Sequence, residues 1–235
     1  MRRLAVIITV LILSAWGALQ LSRSTTFMIA GEAIARVETN APVIALTFDD
    51  GPSPRFLGDV LTTLNEHGTV ATFFLVGQDV VAHPELVTQI ADGGHELGNH
   101  SYSHPRLVLM SPSRVAAEIE TTDQSLRNAG YTGAIPFRPP YGKKLVILPF
   151  YLARNERPAI MWDVAPEDDP ALAGDADAIT DFVLKEARSG SIILLHPMYD
   201  SGAATRAALP AILSGLTARG FEFVTVSELL DLRAP

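Results

Sequence analysis

Two carboxylates stand side by side at the end of an apolar run, in the segment IALTFDDGPS at 44–53. Neighbouring residues of a strand point to opposite faces, and adjacent acids resist ionising together. Asp49 and Asp50 therefore need a chemical reason to be neighbours. Further along, NHSYSH places His100 and His104 four apart, so one helical turn would set both imidazoles on the same side. Two neutral imidazoles and one carboxylate make a three-ligand face for a divalent cation, with positions left for water and substrate. Asp50 is the natural third ligand. A His-x-x-x-H pair alone is structural more often than not; it gains weight here from the acidic strand end and from Pro105 just after it. The expected division of labour gives one acid to the metal and leaves the other for proton chemistry.

Composition narrows the classes. The chain has 235 residues, 48% of them hydrophobic and 19% charged, which fits one folded α/β domain rather than a disordered segment. A net charge of −8 speaks against a nucleic-acid partner. With no cysteine there is no disulfide framework and no thiolate site, so a metal must sit on His and Asp or Glu.

From Pro42 onward, strand-like and helix-like patterns alternate. VIALTFDD, ATFFLVG, HELGNH, IPFRPPYG, AIMWDV, SIILLH and FEFVTV read as seven strands. Ser53 as N-cap with Pro54 after it opens a helix that Gly68 closes. Further helices are expected over Val80–Ala91, Ser113–Ala129, 145–154, 176–188 and 204–218. Mostly apolar strands joined by helices predict a parallel sheet, open or closed into a barrel. Asp49 and Asp50, His100, Arg138, Asp163 and His196 then all fall at or near strand C-termini, the rim where barrel sites sit.

TFDDGPS, HSYSHP, FRPPYG and LLH occur in that order, over roughly Val43 to Leu230. In this the chain resembles the polysaccharide deacetylases, the NodB-homology domain of carbohydrate esterase family four. The resemblance implies a distorted (β/α) barrel of about seven parallel strands. It also implies a hydrolase that removes acetyl groups from N-acetylated sugars of chitin or peptidoglycan, using a divalent metal, usually Zn2+, with Co2+ or another ion able to serve. By the same resemblance Asp49 is the general base, and Asp50, His100 and His104 are the metal ligands. Arg138 orients the catalytic Asp, the Tyr141 amide helps bind the oxyanion, Leu194 lines the pocket for the acetyl methyl, and His196 is the general acid. Family members commonly read W-x-V-D-x-x-D-W after the fifth strand; here Ala165 replaces the first acid and Asp169 the final Trp. Asp168 matches the second acid and is expected to support Arg138, with Asp163 the alternative. Glu167 and Asp169 read as ordinary loop solvation, His95 as a structural histidine, and Lys143-Lys144 as a solvated loop with an anionic glycan as the functional alternative.

The N-terminus carries Arg2 and Arg3 and then an apolar run from Leu4 to about Leu21, the pattern of a signal peptide or a signal anchor. It sets the expected organisation: an N-terminal hydrophobic helix over 1–25, a linker over 26–41 and the catalytic domain over 42–235. The expected placement is at the cell membrane through that segment with the domain outside the cytoplasm, or secreted or periplasmic if the segment is cut. The expected partner is an N-acetylated glycan, bound by a monomer. Two alternatives stay open: an O-acetyl esterase on an acetylated polysaccharide, and a catalytically inactive glycan-binding protein fixed to the membrane.

Overall fold

The computed structural model describes residues 2–233, without the side chains at 2, 4–8, 10–12 and 15. The last two residues of the expected catalytic domain thus lie outside the described residues, as do the side chains of much of the apolar run that begins at Leu4. In chain order the elements are α1 (Arg2–Arg23), β1 (Ala33–Ile34), β2 (Val43–Gly51), α2 (Leu57–Glu66), β3 (Thr72–Leu75), α3 (Gly77–Ala82), α4 (Pro84–Asp92) and β4 (Glu96–Asn99). There follow α5 (Pro112–Asn128), α6 (Ile147–Arg154), β5 (Ala159–Ile160), α7 (Ala176–Glu186), β6 (Ile192–Leu195), α8 (Ala203–Ala218), β7 (Glu222–Phe223) and α9 (Val226–Asp231).

Strands run in the order β4-β3-β2-β6, β7 also pairs with β2, β1 pairs with β5, and each of these ladders is parallel. Parallel strands are covered on both faces, and β2 shows how. Ile44, Leu46 and Phe48 join Leu57, Leu64, Leu209 and Leu213 in the layer under the helices. Val43 and Ala45 face the other way, onto Phe74, Ile160 and Ile192. Thr47 and Asp49 continue that inner row by the two-residue period of a strand. Burying each large apolar side chain in these layers contributes about 1.5–3 kcal/mol.

Four expectations need correction. The sheet does not close into a barrel: around the far side, pairing shrinks to single bridges at Asn99–Phe137, Phe137–Ala159 and Val164–Ile193. The segment around Phe137 contains Pro136, Pro139 and Pro140, which have no N–H to give to a ladder. The helix expected over 80–91 is two, because His83 precedes Pro84 and leaves the helical region there. Ser53 caps nothing with its side chain. Its carbonyl instead accepts from Phe56 and Leu57 N–H, and α2 begins one turn later. Finally, 26–41 is no free linker, since β1 pairs with β5 and both Ile34 and Val37 are buried.

The membrane placement is also overturned. Among the described residues, no helix is long and apolar enough to cross a membrane. The C-terminal end of α1 lies on the domain instead, where Ser22 O accepts from the Lys144 N–H and Ser24 O from Lys144 Nζ.

Candidate active site

At the end of β2 the alternation breaks at one residue. Asp49 pairs with Phe74 and Gly51 with Leu75, so Asp50 is an extra residue in the ladder. Its φ is 67°, in the left-handed region that Asp tolerates better than most residues. A bulge of this kind re-aims a side chain. Asp49 keeps its inward direction, and Asp50 turns into the same cleft; both carboxylates line it together with His100, His104, Tyr141 and His196.

Asp49 is held from below. Arg138, fully buried, donates from Nη1 to Asp49 Oδ1 at 2.7 Å and to Thr47 Oγ1 at 2.8 Å. Its other donors reach the carbonyls of Ile160 (3.2 Å) and Met161 (3.1 Å), and its face lies 4.1 Å from the Phe74 ring centroid. A buried guanidinium needs this full set of partners to offset desolvation. Neither expected carboxylate supplies one. Asp168 Oδ2 accepts from Trp162 Nε1 at 3.0 Å, and Asp163 accepts from Ser191 Oγ and Ile192 N–H, both at 3.0 Å. Asp168 therefore reaches Arg138 only through the Trp162 ring, whose centroid is 5.6 Å from the guanidinium.

His100 and His104 come together without a helix. They sit in the loop after β4, where Ser101 (φ 65°) and His104 (φ 55°) are both left-handed. The ring centroids lie 4.9 Å apart. Glu118, a buried residue of α5, holds this loop in shape: Oε2 accepts from Tyr102 N–H (3.0 Å) and Ser103 N–H (2.8 Å), and Oε1 from Ser103 Oγ (2.8 Å). Asn99 Oδ1 accepts from Ser101 N–H at 2.8 Å, and Ser101 Oγ accepts from His104 N–H at 3.1 Å. His100 Nδ1 donates to the Arg138 carbonyl at 2.9 Å, which fixes the tautomer and leaves the Nε2 lone pair facing the acids.

Ligand atoms of Asp50, His100 and His104 lie within 4.8 Å of one another. Asp50 Oδ1 is buried and has no hydrogen-bond donor, although His104 Nε2 comes to 3.0 Å and His100 Nε2 to 3.5 Å. A buried carboxylate oxygen facing two imidazole nitrogens without bonding to them is costly alone and suits a cation between them. Burial raises the Asp50 pKa, but His104, His100 and His196 outweigh it and hold the carboxyl at about 2. The residues fit a divalent metal of the His2Asp type.

Across the cleft, His196 follows β6. Its Nε2 is 3.8 Å from Asp50 Oδ2, and its Nδ1 is 2.6 Å from Glu167 Oε2, which also accepts from the His196 N–H at 2.8 Å. Burial lowers the imidazole pKa, yet Glu167, Asp49 and Asp50 prevail and push it up to about 9. Leu194 is buried on the floor of the cleft, which encloses about 320 Å³. Tyr141 has φ 56°, and the two bonds that close its turn run from Gly142 N–H to Pro139 O and from Lys143 N–H to Pro140 O, so neither uses the Tyr141 amide. A larger cavity of about 570 Å³ holds none of these groups, and its Asp123 is already paired with Arg157.

With that geometry in view, the comparisons with known proteins are specific. The family model described as polysaccharide deacetylase matches residues 36–154. The chain belongs to the polysaccharide deacetylases. A peptidoglycan-N-acetylglucosamine deacetylase of Listeria monocytogenes is 38% identical over 83% of this chain, and a peptidoglycan-N-acetylmuramic acid deacetylase of Bacillus subtilis is 35% identical over 84%. The chain spans 40% of the length of each of those two relatives. Among solved structures, a peptidoglycan N-acetylglucosamine deacetylase superposes with a TM-score of 0.77 at 33% identity, covering 83% of this chain and 91% of that one. A family-four pseudoenzyme from Bacillus anthracis superposes nearly as well, with a TM-score of 0.76 at 27% identity over 86% of this chain and 70% of that one. Likeness of fold in the deacetylases thus does not by itself carry activity.

Two functional residues escape the sequence reading. Glu167 reads in the sequence as one more acid in a polar loop, and Glu118 is not singled out there at all. For Glu118 a signal existed: buried Val115, Ile119 and Thr122 share its side of α5, so a carboxylate there needs partners. For Glu167 the sequence offers no signal, because it sits among the adjacent loop acids Asp168 and Asp169.

Proposed function

We propose that this deacetylase-family chain removes acetyl groups from N-acetylated sugars of a cell-wall glycan in a metal-dependent hydrolysis. The observation that carries the reading is the separation of the two neighbouring acids. Arg138 binds Asp49 Oδ1, while the bulge turns Asp50 toward both His100 and His104; this supports giving Asp50 to the metal and Asp49, whose Oδ2 lies 3.4 Å from His100 Nε2, to the proton. The relatives named as peptidoglycan and chitooligosaccharide deacetylases support the substrate class.

A divalent cation held by Asp50, His100 and His104, zinc in this assignment, would supply Lewis acidity toward a carbonyl and a more acidic water. The remaining steps belong to the chain. Asp49 takes the proton from the attacking water as the oxygen adds to the acetamide carbon. Arg138 holds the other Asp49 oxygen in place and keeps the carboxylate aimed. The Tyr141 amide donates to the oxygen that gains charge, a contact commonly worth ~3 kcal/mol. His196, kept cationic by Glu167, gives its Nε2 proton to the sugar nitrogen as the C–N bond breaks. Acetate and a free amine remain. Leu194 faces the methyl, and Asp168 fixes Trp162 as a wall of the cleft. In this reading the catalytic domain begins at β1, at Ala33, rather than at residue 42.

The test is acetate release from chito-oligosaccharides, peptidoglycan and acetylated xylan by the zinc-loaded protein, with and without chelation. Asp49→Asn is expected to retain metal and lose at least about a thousandfold in kcat. Asp50→Asn is expected to lose metal affinity first. Full turnover by Asp49→Asn would overturn the assignment, and release from xylan alone would move the chain to the ester-cleaving reading.

A further inference from the structure

The start of α8 holds both His196 and the carboxylate behind it. At Gly202, the residue before α8, an added Cβ would lie 2.3 Å from the His196 carbonyl oxygen, so the helix start packs directly on the His196 backbone. Arg206 Nη1 donates to the Pro197 carbonyl at 2.5 Å and to the Tyr199 carbonyl at 2.6 Å, which fixes the turn between β6 and α8. Thr205, a buried residue of the first turn of α8, donates its hydroxyl hydrogen to Glu167 Oε1. A threonine in a helix commonly returns that hydrogen to the carbonyl four residues back. Here it leaves the helix for a residue 38 positions away in the chain. The opposite oxygen, Glu167 Oε2, accepts from the His196 N–H at 2.8 Å and from His196 Nδ1 at 2.6 Å. One carboxylate is thus held at both oxygens, by α8 on one side and by His196 on the other.

Glu167 needs the second hold. It stands in the single turn Pro166–Asp168 rather than on a long helix, and its side chain is 19% exposed. It borders a cavity of about 270 Å³, lined also by Gly174, Tyr199 and Ser201, that meets the cleft at His196 and Asp168. Glutamate is rich in rotamers, so a carboxylate held by His196 alone can turn out into that space. We propose that Thr205 is a positioning residue for proton delivery: its hydroxyl keeps Glu167 from turning into the cavity, and Glu167 in turn keeps the His196 ring with Nε2 facing the cleft. Thr205 acts through Glu167 and not on the reacting atoms. The inference rests on the hydrolase reading and assigns a residue that no step of that reading uses. A misaligned imidazole is a poor donor even when protonated, because proton transfer requires hydrogen-bond reach to the departing nitrogen. The penalty therefore falls where the leaving group must be protonated, and largely spares one that departs as a stable anion.

The test compares the zinc-loaded wild type with Thr205→Val, which keeps the shape and removes the hydroxyl, and with Thr205→Ser, which keeps the hydroxyl. On an N-acetylated chito-oligosaccharide Thr205→Val is expected to lose about tenfold in kcat with KM nearly unchanged, and Thr205→Ser to recover most of it. On para-nitrophenyl acetate, whose leaving group departs without a proton, the loss is expected to shrink to about twofold. Equal losses on the two substrates overturn the positioning role, because a general distortion of the site costs both alike. Full kcat in Thr205→Val, or no recovery in Thr205→Ser, overturns it as well. A second readout needs no turnover. With isotope-labelled histidine, the His196 Nδ1 proton is expected to give a sharp downfield magnetic-resonance signal in the wild type and in Thr205→Ser, and one broadened by exchange with water in Thr205→Val. An equally sharp signal in all three overturns the proposal. If the wild type releases no acetate from any N-acetylated glycan, the hydrolase reading fails, and this signal alone decides whether Thr205 holds the pair. Should the valine variant not fold, Thr205→Ala is read against the same outcomes.

Discussion

Asp49 and Asp50 differ in what they touch far more than in where they sit along the chain. One is locked to Arg138 in the interior, and the other faces two imidazoles with a bare oxygen. The same contrast operates at His196, which under the proposed mechanism is a useful acid only while a carboxylate sits behind it. With its pKa near 9 the imidazole stays protonated through neutral pH and gives up its charge only as pH rises past that value. Glu167→Gln removes the partner whose hydrogen bond raises that pKa most. The alkaline limb of the kcat/KM profile is then expected to move down by a pH unit or more, with the acid limb nearly fixed. An unmoved alkaline limb in the variant would show that Glu167 does not tune the acid. Both carboxylate pairs were partly legible in the sequence. DDG, HxxxH and LLH marked groups that the structure gathers in one cleft, since few other residue types do that chemistry. The supporting partner was misjudged because adjacent loop acids at 167, 168 and 169 look alike until the backbone turn decides which one faces the cleft.

At the level of elements, the loop after β4 shows how a buried helix residue sets a site it never enters. Glu118 accepts two loop amides and a hydroxyl, and Ser101 and His104 keep left-handed backbones on that support. Glu118→Ala leaves Tyr102 and Ser103 N–H without their acceptor, an expected loss of about 1–3 kcal/mol in unfolding by urea. Metal affinity, read from a cobalt absorption titration, is expected to fall about 10–100-fold. Glu118→Gln, which keeps one acceptor oxygen, is expected to restore part of both. A stability loss with unchanged metal affinity would leave Glu118 as a packing residue only. Sequence periodicity placed α5, α7 and α8 within a few residues, because their apolar stripes are long. It failed where prolines and short strands thin out the ladder, at 136–142 and 159–164, and it missed β1 because a two-residue strand has no period to detect.

For the whole molecule, stability against acid should depend on groups far from the cleft. His95 is buried against Phe73, its Nδ1 accepts from Ala71 N–H, and burial lowers its pKa to about 4. The unfolded chain protonates this histidine near its ordinary 6.5 and the folded one does not. Stability is therefore unaffected above about pH 6.5 and falls as pH drops from there toward 4, by up to about 3 kcal/mol. His95→Asn, which keeps an acceptor for Ala71, is expected to flatten that decline in urea melts between pH 4 and 7; an unchanged slope would remove His95 as its source. The uneven pairing around the sheet has a mechanical result as well. Asp49, Asp50 and His100 stand on or just past the continuous run β4-β3-β2-β6, while Tyr141 and Trp162 stand beside the half joined by isolated bridges. Amide exchange should be fastest on that half. Under the proposed function the groove can breathe there as a glycan enters, and the acids and histidines of the cleft stay anchored on the stiff side.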